Sequence, residues 1–394
     1  MRISIWLAAL AACSSTRSSS QPDAAAASPD APGTPDAPVM TAPHQLGTVT
    51  AATYVAQCTN PGATGSTAAG FRCAELTVSC PGLDDAQVEV ALAPASRTPK
   101  GVVVTHSGSD GMTFIGNQLE GPWLEDGFSL AQIAWFAPWE CGKHAGSACA
   151  VDTTPPAERA SMVDAGCRPA TVIQWIHDSA QLADGTPFLP SGTALCGHGA
   201  SGGSGAFWYS LLQYGRGAAL DYVILAASSP FGRIDIGCDA NNAATQVPAP
   251  CDNFATPPMA WEYDDANGAG STAAFNRWLS TTTCGAAGGP SADEAALFAR
   301  SSVLADGADL DIATPVTTYD CVDAASLNVV PGGGHFVHDA LRANDPTGAK
   351  WKGVCVVTGA GGNGTCKGEE VFQDPTMRAT AIADMETNCV PLQR

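Results

Sequence analysis

The sequence predicts an α/β protein with a mostly parallel central sheet flanked by helices, and three apolar stretches carry that prediction. Residues 101–105, GVVVT, form a continuous apolar run, as strands buried on both faces do. Residues 221–226, DYVILA, form a second run, and residues 193–196, TALC, form a third that leads into a glycine-rich turn and a helix-like segment. Strands that alternate with helices are typical of a parallel α/β sheet.

Other elements follow from the same patterns. Residues 168–182 carry an apolar band at helical spacing, which predicts a helix packed on the sheet. Residues 369–386 are helix-like, and we expect this tail to close the sheet and to be held by disulfides. Apolar β-like runs predict four more strands, over residues 74–79, 88–92, 128–136 and 315–319.

The N-terminus predicts a lipoprotein signal peptide over residues 1–12. Arg2 precedes a short apolar run, and the residues LAAC that end at Cys13 resemble a bacterial lipobox, in which cleavage frees this cysteine for acylation. The run is too short to span a membrane. An ordinary signal peptide with another cleavage site is the alternative. Residues 13–45 hold few large apolar side chains and predict a flexible, lipid-anchored linker before a folded domain over residues 46–394.

Charge and cysteine content narrow the setting. The 394 residues carry a formal net charge of -20, which excludes an electrostatic nucleic-acid surface and leaves the lipid anchor as the expected attachment to a membrane. Of the 15 cysteines, 14 remain once Cys13 is set aside for acylation. We interpret most of these 14 as disulfides formed in an oxidising compartment. The prediction is an extracytoplasmic protein of a bacterial cell envelope, lipid-anchored or secreted.

Cysteine spacing leaves the pairing open. Cys196 lies in a predicted central strand, where a buried free thiol is also feasible. No C-x-x-C pair is present, and two histidines three residues apart, His335 and His338, are too little to predict a metal site. Three close pairs are feasible disulfides on spacing alone: Cys141 with Cys149, Cys238 with Cys251, and Cys355 with Cys366.

The chain is organised around residues 199–203, GASGG, with Ser201 in the middle. Glycines two residues before and two residues after a serine allow a strained turn and a close approach of neighbouring backbone, which leaves the serine hydroxyl exposed at the tip. A helix-like segment with an apolar face follows and ends near Gly215. Ser204 is the rival nucleophile, but it would lie one helical turn beyond the tip.

On this nucleophile elbow the chain resembles the α/β-hydrolase superfamily, over about residues 70–394. The resemblance implies an α/β-hydrolase fold with Ser201 as the catalytic nucleophile. It also implies an oxyanion hole made by the backbone N–H of Gly202 and by one N–H of the loop after the third strand, for which Ser107 and Gly108 are the candidates. A simple glycine turn is the alternative for that loop.

The superfamily order of serine, acid and histidine directs the search to the C-terminal half. Residues 329–335, VVPGGGH, resemble an eighth strand and the loop after it, which implies His335 as the general base, with His338 as the fallback.

The acid has several candidates. Asp320 and Asp323 follow the predicted seventh strand, where the family acid is expected, and Asp320 is the first choice. Only 15 residues separate Asp320 from His335, so we expect the helix between them to be reduced or missing. Asp235, just beyond the sixth strand, is the alternative.

Residues 238–300 interrupt the strand–helix alternation with aromatic side chains among Gly, Ala, Asp and Pro, and with three cysteines. The resemblance implies a disulfide-containing cap insert after the sixth strand. Its aromatic residues suit a lid that contacts an apolar acyl or aryl group, and they equally suit a small core of the insert itself.

These assignments predict an extracytoplasmic serine hydrolase that cleaves small or lipid-like carboxylic esters through a Ser-His-Asp triad and an acyl-enzyme, with no metal or organic cofactor. Two other functions are open. One is a catalytically silent hydrolase fold that serves as a surface binding or interaction lipoprotein, which the short interval between acid and histidine favours. The other is a carbohydrate-binding lipoprotein, which predicts exposed, coplanar Trp261 and Trp278.

Overall fold

Nine strands form one sheet in the part of the chain that the structure describes, a computed structural model covering residues 44–60, 72–108, 110–115, 119–143, 149–226, 231–239, 271–323, 332–358 and 368–392. In chain order the strands are β1 Thr48–Val55, β2 Arg72–Ser79, β3 Ala86–Ala93, β4 Gly101–His106, β5 Ser129–Trp135, β6 Ala194–Ala200, β7 Tyr222–Ala226, β8 Val316–Asp323 and β9 Trp351–Thr358. Across the sheet they stand in the order β1-β2-β3-β5-β4-β6-β7-β8-β9.

The sheet has an antiparallel part and a parallel part. β1, β2, β3 and β5 pair antiparallel in that order, whereas β5, β4, β6, β7, β8 and β9 pair parallel. Parallel neighbours require crossover connections, which the helices supply. The carboxyl ends of the six parallel strands meet at one edge of the sheet, which we call the carboxyl edge. Residues that follow β4, β6, β7 and β8 therefore gather there.

Helices cover both faces of the sheet. Val102 and Val104 of β4 point into a core that includes α3 and α4 side chains, while Val103 points into a second core with α1 and α9. Because successive side chains of a strand face opposite sides, the sheet is the middle of three layers. The helices are α1 Glu120–Asp126, α2 Met162–Ala165, α3 Cys167–Asp178, α4 Gly202–Leu212, α5 Ile234–Gly237, α6 Ser271–Trp278, α7 Ala292–Ser301, α8 Gly332–Asn344 and α9 Pro375–Asn388.

Local sequence explains where several helices begin. α7 starts with a capping box, in which the Ser291 hydroxyl accepts from the Glu294 N–H and the Glu294 carboxylate accepts from the Ser291 N–H. α9 starts at Pro375, behind an Asp374 side chain that accepts from the N–H groups of Thr376 and Met377. These side chains satisfy backbone donors that the first helical turn leaves unpaired.

Most of the predicted elements are confirmed. The apolar run over residues 101–105 is β4, the run over 128–136 contains β5, and the predicted helix over 168–182 contains α3. The structure adds β1, for which no strand was predicted because its small side chains are mostly exposed and lack an apolar alternation. Counted without β1, the eighth strand of the sheet is β9. The residues that resembled an eighth strand in the sequence, 329–330, lie outside the described residues.

The insert predicted after the sixth strand is confirmed between β7 and β8, where α5, α6 and α7 lie. Its disulfide joins Cys238 to Cys284, so the feasible pair of Cys238 with Cys251 is wrong. The two cysteines of the observed bridge are 46 residues apart, which closes most of the insert into one loop.

Five disulfides are present among the described residues. The pairing of Cys141 with Cys149 is confirmed, while the pair of Cys355 with Cys366 lies outside the described side chains. The alternative of a free thiol at Cys196 is wrong, because Cys196 forms a disulfide with Cys389, the residue that follows α9. This bridge ties the C-terminal tail to a central strand. The other two bridges join Cys58 to Cys73 and Cys80 to Cys167. Such a number of disulfides indicates an oxidising compartment. Among the described residues, every helix falls short of the length and apolar character that a membrane span requires.

The bridge between Cys196 and Cys389 should stabilise the fold more than the short bridge between Cys141 and Cys149 does. It joins residues 193 apart in sequence, so its removal restores far more freedom to the unfolded chain than removal of Cys141–Cys149, which are 8 apart. We expect the double replacement of Cys196 and Cys389 by Ala to lower the free energy of unfolding by about 4–5 kcal/mol, against about 2–3 kcal/mol for the short bridge. Urea unfolding at equilibrium measures both values, and equal losses would contradict the chain-entropy explanation.

Candidate active site

Ser201 occupies a strained turn between β6 and α4. Its φ of 49° and ψ of -114° lie in a region that side-chain-bearing residues rarely adopt. The Ser201 N–H donates to the Ala226 carbonyl at 3.0 Å, which holds the turn against the end of β7. The Ser201 side chain is half-buried, so it is in contact with the protein and accessible from outside. This conformation is the one expected of a nucleophile elbow.

The two outer glycines of the elbow are required by close backbone contacts. A Cβ on Gly199 would lie 2.6 Å from the Gly203 carbonyl oxygen, and a Cβ on Gly203 would lie 2.1 Å from the His106 carbonyl oxygen. Both distances are far below any real carbon–oxygen contact, and the backbone atoms concerned belong to packed strands and helices. The spacing of glycines around Ser201 therefore reflects how tightly β4, β6 and α4 approach one another.

The rival serine has a structural role. Ser204 is fully buried, and its hydroxyl lies 3.0 Å from the carbonyl oxygens of both Gly199 and Ala226. Its single proton thereby has a buried backbone acceptor beneath the elbow. Of the two serines, Ser201 is the accessible one.

The elbow and the sheet together decide the fold. With β1 as an added edge strand, the elbow follows the fifth of the remaining strands, in a sheet whose parallel part is flanked by helices on both faces. The chain has the α/β-hydrolase fold. In this fold the loop after β4, the elbow after β6 and the connections after β7 and β8 meet at the carboxyl edge, where catalytic groups are expected.

The loop after β4 lies directly against the elbow. A Cβ on Gly108 would lie 3.2 Å from both the Ser201 Cβ and the Ala200 carbonyl oxygen, so the backbone of Gly108 touches the nucleophile turn. Ser107 is buried, and its hydroxyl donates to the Thr113 carbonyl. Of the two residues predicted for the oxyanion loop, the structure brings Gly108 next to Ser201. Gly202, the third predicted residue, is the first residue of α4.

His106 supports this loop, and the sequence analysis assigned it no role. The Trp135 indole N–H donates to His106 Nε2 at 2.9 Å, so the proton lies on Nδ1, which faces the Ser107 carbonyl oxygen at 3.0 Å. Burial lowers the pKa of His106 to about 4, although the hydrogen bond to Ser107 opposes that shift. A neutral imidazole thus joins the loop after β4 to β5. The signal in the sequence was its position at the end of an apolar strand.

His198 is a second buried, neutral imidazole. It lies on β6, with Nδ1 3.2 Å from the Ile224 carbonyl oxygen of the neighbouring strand β7. Its ring packs edge-on against Trp123 of α1 and Phe372. Burial lowers its pKa to about 4, against a smaller opposing effect of the hydrogen bond to Ile224. His198 contributes to the core rather than to the accessible edge.

The structure corrects where the predicted base lies in the fold. His335 does not follow the last strand, as the glycine turn before it suggested, but lies in the first turn of α8, ahead of β9. The crossover helix α8 begins at Gly332 and contains His335, so only its first residues lie between Asp320 and His335; residues 324–331 of that interval lie outside the described residues.

Both predicted histidines are buried on α8. The ring of His335 is 7% exposed and its centroid is 6.3 Å from that of His338. His338 is fully buried, between Trp208 of α4 at 6.3 Å and Trp351 of β9 at 4.9 Å. Of the two histidines, His335 lies one turn nearer the start of the helix.

For the first two candidate acids, Asp320 and Asp323, the structure describes the backbone only. The backbone of Asp320 and Asp323 belongs to β8, where these residues stand opposite Cys355 and Thr358 of β9, and their side chains lie outside the description. The alternative, Asp235 in α5, forms an ion pair with Arg233 at 2.6 Å and accepts from the Ser302 hydroxyl at 3.3 Å. These partners hold Asp235 within the insert.

The insert shares its core with the rest of the domain. Trp278 is 6% exposed, so the exposed tryptophan that the carbohydrate-binding alternative required is wrong at this position; Trp261 lies outside the described residues. Trp278 packs against Phe275 and Phe231, and Phe231 in turn packs against Trp139 and Tyr209 of the main domain.

Within the described ranges, no group of three or more His, Cys, Asp or Glu side chains could hold a metal ion.

Comparison with solved structures returns proteins of the same fold class at low similarity. Brefeldin A esterase, a bacterial homologue of human hormone-sensitive lipase, is 13% identical with a TM-score of 0.42, over 85% of this chain and 80% of that one. An acylaminoacyl peptidase of Pyrococcus horikoshii is 10% identical with a TM-score of 0.48, over 83% of this chain but only 43% of that one. Acetyl xylan esterase 1 of a Thermoanaerobacterium species is 11% identical with a TM-score of 0.44, over 80% and 86%. No family model and no curated protein sequence matches the chain.

The buried imidazoles predict how stability depends on pH. His198 has a folded-state pKa of about 4, below its ordinary value of 6.5, so the unfolded chain takes up a proton first as the pH falls. The parent should therefore lose about 3 kcal/mol more stability than His198→Asn between pH 6.5 and pH 4, because Asn keeps a donor for Ile224 and does not titrate. Urea unfolding at several pH values measures the difference. Parallel curves for the parent and His198→Asn would contradict the assignment.

Proposed function

We propose that this protein is an extracytoplasmic serine hydrolase that cleaves carboxylic esters through an acyl-enzyme. The observation that carries the proposal is the backbone of Ser201, which is held at φ 49° in an elbow with its side chain accessible and with Gly108 packed against it. Strain of this kind is costly, of order 1–3 kcal/mol, and is typical of sites where it serves a mechanism.

The proposed reaction has two steps. The Ser201 hydroxyl attacks the ester carbonyl while His335 takes its proton, and the carbonyl oxygen becomes an oxyanion held by the N–H groups of Gly108 and Gly202. The protonated imidazole then gives its proton to the leaving alkoxide, and the acyl group stays on the serine. Water repeats the sequence and releases the carboxylic acid. No metal or organic cofactor enters these steps.

Helix geometry supports His335 as the base. Trp208 lies seven residues beyond Ser201 along α4, a distance of about 10 Å along the helix. The ring of His338 packs against the ring of this tryptophan. His335 precedes His338 by one turn, about 4.5 Å, toward the start of α8. As the crossover between parallel strands, α8 begins toward the carboxyl edge, the edge at which Ser201 lies. His335 is therefore the histidine of the two that is closer to the level of Ser201.

The proposed substrates are small or lipid-like esters. An ester is the least demanding acyl substrate, because its alkoxide leaves more readily than the amine of a peptide. The aromatic side chains of Phe275 and Trp278 are buried in the core that the insert shares with the domain, so they support the structure beside this edge and are not a surface for the substrate.

A second candidate is a catalytically silent hydrolase fold that binds a partner at the surface. One observation favours it: no histidine follows β9 in the sequence, the place after the eighth strand where the superfamily carries its base. The strained elbow at Ser201 favours the enzyme over the silent scaffold, because a protein without catalytic activity gains nothing from this costly backbone conformation.

Labelling with a fluorophosphonate probe tests the nucleophile and the base in the full-length protein. We expect the parent to be labelled and to hydrolyse p-nitrophenyl acetate, and we expect Ser201→Ala and His335→Gln to lower kcat by about 10⁴-fold or more. Asp320→Asn should lower kcat by a similar factor if it orients the base, while Asp323→Asn and Asp235→Asn should not. The control Ser204→Ala should keep its labelling, with stability lower by about 1–2 kcal/mol. A folded parent that is not labelled would favour the silent scaffold.

We also propose that residues 1–12 are removed as a signal peptide and that residues 13–45 form an acylated linker to the domain over residues 46–394. The lipobox-like LAAC ending at Cys13 supports the anchor, and the five disulfides are consistent with an extracytoplasmic location. Multiple acyl chains on one residue give stable anchoring.

The anchor can be tested by fractionation. In a bacterial host that processes lipoproteins, the parent should sediment with membranes and Cys13→Ser should appear in the soluble extracytoplasmic fraction. Metabolic labelling with a palmitate analogue should mark the parent alone. A soluble, unlabelled parent would indicate an ordinary signal peptide instead.

A further inference from the structure

The loop after β4 joins the nucleophile to the insert through its described residues Gly108, Asp110 and Gly111. At one end Gly108 packs against Ser201, and the Gly111 N–H closes the turn by donating to the Gly108 carbonyl at 3.2 Å. Gly111 has a φ of 68°, and a Cβ there would lie 2.5 Å from the His106 ring and 2.9 Å from the Trp139 ring. Gly111 is therefore packed directly against buried rings and has little freedom on that side.

The other end of the turn is held by α6. A single oxygen of the Asp110 carboxylate, Oδ1, accepts from the Arg277 guanidinium at 2.6 Å and from the Trp278 indole N–H at 3.0 Å. Trp278 is itself buried among aromatic rings, so it is a fixed donor. Asp110 is two residues from Gly108 in the same turn. The carboxylate thus connects the backbone beside the nucleophile to a rigid helix of the insert.

Charge explains why Asp110 is the group that faces Arg277. The neighbouring carboxyl group, Glu140, is fully buried, and burial together with the nearby Asp110 charge raises its pKa well above the usual range, against weaker opposing effects of Arg277 and Arg168. Glu140 is therefore held in its neutral form, and Asp110 supplies the negative charge that pairs with the guanidinium.

We propose that Asp110 is a positioning residue for the oxyanion hole, an inference that rests on the proposed hydrolase function. By binding α6 through two donors, it fixes the turn whose Gly108 amide is to face the oxyanion. Stabilisation of an oxyanion depends on donors that are already in place, and small displacements of such groups cost rate. The pair between Asp110 and Arg277 is partly exposed, and pairs of this kind add little stability. Its effect should appear in kcat rather than in the stability of the fold.

Three variants of the full-length protein test the inference. Asp110→Ala removes both contacts, Asp110→Asn keeps an acceptor for Trp278 without the charge, and Arg277→Gln removes the cation alone. We measure kcat and KM for p-nitrophenyl acetate and the rate of inactivation by the fluorophosphonate. The matched control is Asp311→Asn, which breaks an exposed ion pair with Lys350 outside the site.

We expect Asp110→Ala to lower both kcat and the inactivation rate by about 10- to 100-fold, with KM within about twofold of the parent. Asp110→Asn and Arg277→Gln should lose less, and Asp311→Asn should match the parent. Hydrogen exchange should accelerate in residues 107–113 of Asp110→Ala, while its thermal midpoint stays close to that of the parent.

The outcomes separate the two proposals. An active parent whose Asp110→Ala variant keeps kcat within twofold, or loses efficiency through KM alone, overturns the positioning role and leaves the hydrolase function intact. A folded parent without labelling overturns the hydrolase function, and the positioning role with it. If Asp110→Ala fails to fold, Asp110→Asn and Arg277→Gln decide by the same criteria.

Discussion

The close approach of backbone at the carboxyl edge is the constraint on which the rest of the site depends. The Cα of Gly203 faces the His106 carbonyl so closely that no side chain fits, and Gly108 lies in a looser but still tight contact with Ser201. This contact joins three neighbouring elements, β4, β6 and α4, and it forces the serine between them into a conformation that other loops avoid. The side chain of Ser201 is half-buried at the tip of this turn.

The buried polar side chains next to this tight contact are neutral groups. The imidazoles of His106 and His198 lie under the edge as neutral groups, each with a carbonyl oxygen within hydrogen-bond distance, and the Ser204 hydroxyl lies within donating distance of the carbonyl oxygens of Gly199 and Ala226. A charged group at these depths would be costly, whereas neutral donors hold the strands in register. The accessible chemistry is thereby confined to the outer side of the elbow.

The insert after β7 is packed into the main domain and is not detached from it. Its Phe275 and Trp278 belong to one aromatic cluster with Phe231, Trp139 and Tyr209, and Tyr209 lies on the elbow helix itself. Movement of α6 would have to break this buried cluster as well as the contacts to Asp110. The disulfide between Cys238 and Cys284 limits the insert further by closing it on itself.

The sequence by itself determined the α/β class, the elbow with Ser201 and the glycines around it, because these depend on local patterns: apolar runs, helical spacing and the residues that a strained turn allows. It did not predict β1, the bridges of Cys196 and Cys238, or the position of His335 before the last strand. Those features arise between segments far apart in the chain. Only the packed sheet brings Cys196 to Cys389, or Asp110 to a helix of the insert, since such pairings depend on which surfaces meet and leave no local pattern in the sequence.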